Sequence, residues 1–423
     1  MKKTKMFGLL SVVLALTTGC SSDNDGQENS GTDVPGVVTL SKTQQLMAVK
    51  GNDFALSMLR TMNEERGAQS FAASPLSAGC LLGMLNDGAT GQTQQEIMQV
   101  MGFGNADAKT VNKYYADIQK YARQADEQVS ITTANALYAN SQMGFSFADG
   151  FARDMVSYYQ AEMQTLDFAQ ADALQRINSW CSEATKGMIP TILNADELSP
   201  AALACLLNTV VFDAPWSQPF DASATSKDDF YKEDHMKVQL PTMGNICNVS
   251  YMEDAELKAV TLPFGNGDFQ MTLMMAAPNS GKMLTADIIP SLSTERLQQI
   301  LGAMTQEKVV VRLPRFSTST RGDLIPILTK MGMPTAFGAK ADFSGIGSAA
   351  EKNLCINMMK QNVQIDVNED GVKAGAATVG TIKYSDGMNE QYKEFRANRP
   401  FVYFITEKTT GAIFFVGKFT GID

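Results

Sequence analysis

Between two strand-forming segments, 354–367 and 401–406, the 423-residue chain carries a stretch from Glu369 to Phe395 with no core pattern of its own. A loop this long inside a compact domain is either functional or disordered. Composition decides between the two. A disordered linker favours Pro, Ser, Glu and Lys, whereas the ten residues after Asp370 (GVKAGAATVG) are mostly Gly, Ala, Val and Thr. Read with a period of two, Val372, Ala374, Ala376, Thr378, Gly380 and Ile382 share a small, charge-free face. Lys373, Gly375, Ala377, Val379, Thr381 and Lys383 share the other, with charge only at its ends. A strand with so small a face can slide between two existing strands without overpacking them. This is a loop that could become a strand.

The flanking pattern is α+β. Helical spacing covers 43–65, where Thr43 can cap the start, and Ser74-Pro75 opens an apolar helix over 76–85. Further helices are expected over 92–101, 147–159 and 177–192. Strands are expected at 129–139 and 162–168, and the apolar run 203–212 reads as a strand buried on both faces. The second half is strand-rich, at 259–262, 269–276, 309–316, 354–367, 401–406 and 412–419. The elements do not alternate as βαβ, and no repeat is visible, so one large domain over 41–423 is expected.

Composition removes most enzymatic readings. The formal net charge of −10 argues against nucleic-acid binding, which needs a basic face. A single histidine, His235, flanked by Asp234 and Met236, reads as a surface residue and removes imidazole-dependent triads and most zinc sites. No phosphate loop, nucleophile elbow, zinc-protease or dinucleotide motif is present. The chain reads as a non-enzyme without metal or cofactor. Cys80, Cys181, Cys205, Cys247 and Cys355 are widely spaced and mostly in apolar company, so they read as buried free thiols.

Residues 1–20 form a targeting segment: Lys2, Lys3 and Lys5, an apolar run over 6–16 too short to span a membrane, then Thr18-Gly19-Cys20. This is similar to a bacterial lipoprotein signal with Cys20 as the lipid attachment site, although Thr17 stands where Leu is usual. Residues 21–40 start with a small, polar, acidic stretch and read as a flexible tether. Similar stretches occur on surface-exported lipoproteins of Bacteroides-like bacteria, so the expected location is the outer membrane, the periplasm or the cell exterior.

Several separated motifs together resemble the serine protease inhibitor family, the serpins. They are Phe395-Arg-Ala-Asn-Arg-Pro-Phe-Val-Tyr-Phe-Ile405, Asn178-Ser-Trp with Thr185-Lys-Gly-Met-Ile189, Leu207-Asn208 with Phe212 and 216–220, Ser74-Pro75-Leu76-Ser77, Leu313-Pro314-Arg315-Phe316, and Gly411-Ala-Ile-Phe-Phe-Val-Gly417. The resemblance implies about nine helices, three β-sheets and an exposed reactive-centre loop over about 369–395. It further implies a monomeric suicide substrate: a target serine or cysteine protease cleaves the loop, and the acyl-enzyme is trapped as the loop enters the central sheet. The alternative is a non-inhibitory serpin serving as a binding or carrier lipoprotein.

By the same resemblance, Glu369, Gly371, Val372, Ala374, Ala376 and Thr378 form the hinge. Ser74, Ser77, Asn178 and Gln361 form a polar cluster under the sheet, and Trp216 marks the entry point. Gln361 stands where the family usually has His, so pH sensitivity there is expected to vanish. Val372 and Lys373 stand where Thr or Ser and Glu are usual. Counting seventeen residues from Glu369 places Ser385 before the cleaved bond, with Tyr384, Lys383 and Asp386 close by. Counting back from Pro400 gives Asn389 or Met388.

Overall fold

The apolar run at 203–212 forms the strand expected of it. Ala204–Pro215 is twelve residues long and buried along almost its whole length. The structure is a computed structural model and describes residues 38–348, 354–372 and 392–421.

Ala204–Pro215 lies in a six-stranded sheet. Its strands in chain order are Ser130–Asn140 (β1), Glu162–Leu166 (β2), Ala204–Pro215 (β3), Phe316–Asp323 (β4), Met358–Val367 (β5) and Gly371–Val372 (β6). The spatial order is β4-β5-β6-β3-β1-β2, and β5 also pairs directly with β3. A nine-stranded sheet runs from Phe71–Ala73 through Ile413–Phe419, Phe401–Glu407, Phe269–Ala276, Leu257–Phe264, Lys237–Glu253 and Thr305–Pro314 to Lys393–Arg396, with Ser226–Tyr231 paired to Lys237–Glu253. Ser146–Phe147 and Gly347–Ser348 make a two-stranded third sheet. With nine α-helical segments among the described residues, the architecture is α+β.

Lys42–Arg66 (α1) starts one residue before the expected cap. Ser41, not Thr43, caps it, in a reciprocal capping box with Gln44. Pro75–Gly88 (α2) is almost wholly buried, with Ser74 as cap and Pro75 in the first turn, where a missing N–H costs nothing. Ala171–Ala184 (α3) ends eight residues before the expected 192, because Lys186 and Gly187 take positive φ and turn the chain. Ile189, Ile192 and Leu193 are nevertheless buried, against Trp180 and Cys205, so their helix-like spacing serves a packed loop. Ile325–Lys330 (α4) follows β4. The long strand Lys237–Glu253 was not expected, because its burial is irregular and it contains Pro241 and Gly244. The segment expected as an exposed loop over 369–395 is shorter at both ends. Gly371 and Val372 are buried as β6, and Lys393–Arg396 pairs with Thr305–Pro314.

His235 sits in an exposed turn. Cys80, Cys181, Cys205 and Cys247 are buried free thiols, and Cys355 is partly exposed. Burial pushes the Cys205 thiol up to about 12. No helix among the described residues is long and apolar enough to cross a membrane.

Candidate functional site

The six-stranded sheet pairs strands in parallel twice, β1 with β2 at its edge and β5 with β3 in a seam at its centre. β5 and β3 pair from Met358↔Cys205 to Gln364↔Val211. Both strands are antiparallel to their other neighbours, β4 and β1. Parallel pairing is slightly the less stable kind. Beyond Gln364 and Val211 the two strands part, and β6 sits between them: Val372 pairs with Val367 on one side and Ala214 on the other. A strand entering here runs antiparallel to both neighbours. Val372 is fully buried and packs in the same core as Phe212, Ala214 and Val367. Gly371 must be glycine, since a Cβ there would lie 2.0 Å from the Ala214 carbonyl oxygen.

The chain that enters the seam is held at its head by backbone and charge. Trp216 N–H donates to Asp370 O at 2.8 Å, its indole Nε1–H donates to Asn368 O at 2.9 Å, and Phe220 N–H donates to Glu369 O at 2.9 Å. The Trp216 ring stacks on Phe264 at 4.5 Å, which fixes the indole donor. Asn368 Oδ1 accepts from Asp370 N–H and Gly371 N–H and closes the turn. Arg315 Nε donates to both Glu369 oxygens, at 2.7 and 2.8 Å, and Thr225 hydroxyl donates to the same carboxylate. Burial pushes the Glu369 carboxyl up, but the Arg315 and Thr225 hydrogen bonds together hold it below its ordinary range. In the sequence, Arg315 stands out only as part of a motif. Its role as the counter-ion of Glu369 depends on two distant segments meeting.

Under the seam, Gln361 Oε1 accepts from Ser74 N–H at 3.1 Å, while Nε2 donates to Ser74 O at 3.0 Å and Asn208 Oδ1 at 3.4 Å. Ser74 hydroxyl donates to Phe414 O, and Ser77 N–H donates back to Ser74 Oγ. Ser74, Ser77 and Gln361 therefore meet. Asn178 does not join them. Its Oδ1 accepts from Ile192 and Leu193 N–H and its Nδ2 donates to Leu193 O, so it braces the loop after α3. The amide that joins the cluster is Asn208 on β3, which also donates to Asn135 Oδ1 at 2.9 Å. An Asn in the middle of a doubly buried apolar run was the available signal, because a buried amide must find partners.

The outer face of the seam is covered by the segment after α3. Asn362 Nδ2 donates to Thr191 O, Leu203 N–H donates to Asn357 Oδ1, and Lys360 pairs with Glu197. Hydrogen bonding on the two faces of the seam is incomplete. Ser77 Oγ and Asn362 Oδ1 have no partner among the described residues, and Thr209 hydroxyl has at most a weak contact with the Cys181 thiol. Thr209 and Asn362 are register partners across the seam. Ala374, Ala376, Thr378, Lys383, Tyr384, Ser385, Asp386 and Met388 lie outside the described residues, as does Cys20. No cluster of metal-ligating side chains occurs among the described residues.

A family model described as Serpin (serine protease inhibitor) matches residues 50–422. Serpin B6 of Macaca fascicularis is 29% identical over 383 residues, covering 89% of this chain and 99% of that protein. Corticosteroid-binding globulin of Pongo abelii is 27% identical over 388 residues, covering 90% and 92%. The native-state crystal structure of tengpin, a thermophilic serpin, superposes with a TM-score of 0.79 at 24% identity, covering 91% of this chain and 95% of that one, which shows the shared fold.

Proposed function

Because the chain belongs to the serpin family, we propose that it inhibits a target protease as a suicide substrate, its cleaved loop entering the β5–β3 seam. The observation that carries this reading is Val372, already paired with a strand on each side at the head of the seam. Cleavage frees the segment below it, and the protease, still bound as an acyl-enzyme, is carried along and distorted before it can hydrolyse its ester. Continuing the Val372↔Ala214 register, Lys373 meets Asp213, Ala374 meets Phe212, Ala376 meets Val210, Thr378 meets Asn208 and Ile382 meets Ala204, the first residue of β3. On the β5 side Lys373 meets Asp366 and Thr378 meets Gln361. The unusual Lys373 thus falls between two carboxylates, and Ala374, Ala376 and Thr378 fall on the core face. Because the slot ends at Ile382, the cleaved bond belongs close beyond it, which favours Lys383, Tyr384 or Ser385 over Met388.

Mixing the protein with a panel of serine proteases tests this reading. An SDS-stable adduct of summed mass supports it. Loop cleavage without any adduct favours a binding or carrier role, in line with the likeness to corticosteroid-binding globulin. The chain is further proposed to act as a monomer held at the bacterial outer membrane by a lipid on Cys20, with residues 21–40 as tether. Cys20→Ala is expected to release the protein from membranes, and a variant that stays bound would contradict the anchor.

A further inference from the structure

Behind the seam, a cleft of about 290 Å³ opens between the last turns of α1, the end of β4 and the start of α4. Its walls include Met58, Met62, Leu324 and Ile327, and Gln361 lies in its lining. Arg66 also lines it, with its guanidinium over Gly322, where a Cβ would come within 3.4 Å of Arg66 Nη2. The missing side chain at Gly322 therefore lets the guanidinium and the Thr320 methyl approach the strand closely.

Arg66 has no hydrogen-bond or ion-pair partner among the described residues, and burial holds its pKa below the usual value. The two carboxylates nearby are engaged elsewhere. Glu65 pairs with Lys330, and Asp323 accepts from Ile325 N–H. Arg321 and Asp323 also line the cleft, although alternation along β4 sets their side chains on the other face from Gly322. Arg321 is the register partner of Asn362, whose side chain reaches Thr191 on the outer face, whereas Gly322 is opposite Gln361. The C-terminus of α1 offers Arg66 a partial negative charge, less than a full counter-ion supplies. A half-buried cation without a counter-ion, set at the edge of an apolar cleft, is a receptor for an anion with an apolar body.

We propose that this cleft binds a small amphipathic carboxylate, its carboxylate on Arg66 and its chain along Met58, Met62 and Ile327. The site is built from α1, β4, β5 and α4 and stands whether or not the protein traps a protease. The test is isothermal titration of the full chain with octanoate, with octanamide as the neutral isostere. Wild type is expected to bind octanoate at least tenfold more tightly than octanamide. Arg66→Gln should erase that difference, and Arg66→Lys should restore part of it. Melting curves of the unliganded variants check that they fold. Equal affinity for octanoate and octanamide, octanoate affinity unchanged in Arg66→Gln, or no octanoate binding to wild type would each overturn the proposal.

Discussion

The two large sheets treat buried polar groups differently. In the nine-stranded sheet, Phe401–Glu407 is antiparallel to both neighbours and every residue of it is buried. Its buried ions are satisfied. Glu407 accepts from Thr409 N–H, Thr410 N–H and Thr410 hydroxyl, while Lys418 donates to Asn63 Oδ1 and Gly67 O. In the six-stranded sheet, the β5–β3 seam is parallel, parts at one end, and leaves Asn362 Oδ1, with Ser77 Oγ on α2 beneath it, without a partner among the described residues. Buried unpaired groups cost about 1–3 kcal/mol each. On the proposed reading, the six-stranded sheet holds a place for another strand and the nine-stranded sheet does not. If the loop inserts as proposed, a strand antiparallel to both sides would add hydrogen bonds at the seam.

The largest expected effect follows directly. An added strand of about a dozen residues, at roughly 1 kcal/mol net per hydrogen bond, stabilises on the order of 10 kcal/mol before side-chain burial. Nicking near Tyr384 is expected to raise the melting temperature by tens of degrees, measured by calorimetry on intact and cleaved protein. An unchanged melting temperature would make the two sheets equivalent.

Val372→Arg comes next. It buries an unpaired charge at the seam, at a cost of several kcal/mol. The loop should then be cut at a normal rate while the stoichiometry of inhibition rises and little covalent complex accumulates. Because Val372 is already buried in the intact protein, its melting temperature should fall as well. Val372→Thr, the same size and uncharged, should keep inhibition.

Arg315→Ala leaves Glu369 buried without its cation and is expected to destabilise by about 1–3 kcal/mol, read by urea unfolding. The pH dependence carries a sign. The folded-state pKa of Glu369 is depressed, so its contribution is present above the unfolded value near 4.3 and is lost as pH falls through the folded value. Acid should therefore narrow the gap between wild type and Arg315→Ala. A gap that widens in acid would contradict the Arg315–Glu369 account.

The smallest effect is expected from Lys373→Glu. It would set a third carboxylate between Asp213 and Asp366 on the solvent-facing side of the inserted strand. Exposed charge pairs are worth under about 1 kcal/mol, so the stoichiometry of inhibition should rise slightly, and salt should erase the rise. An effect as large as that of Val372→Arg would mean that the two faces of the strand are exchanged.

Much of this contrast is legible in the sequence. The strand 269–276 is found as Phe269–Ala276, and the run at 203–212 is the strand that borders the seam. The alternation of Val372 with its neighbours agrees with the burial of Val372 in the core. What could not be read depends on segments meeting across the fold. Asn178 and Asn208 are both isolated amides, and only the direction of each side chain sends one to the loop after α3 and the other to Gln361. The end of α3 was hidden because Ile189 and Ile192 keep helical spacing while packing from a loop. The sequence presents the hinge as part of an exposed loop, since nothing local shows that Gly371 lies against Ala214 O.

Hydrogen exchange of the loop amides tests the central claim most directly. On cleavage, the amides of residues 373–382 are expected to become strongly protected, and protection along β3 and β5 should rise with them. Amides of 373–382 that exchange as fast after cleavage as before would contradict insertion into the seam.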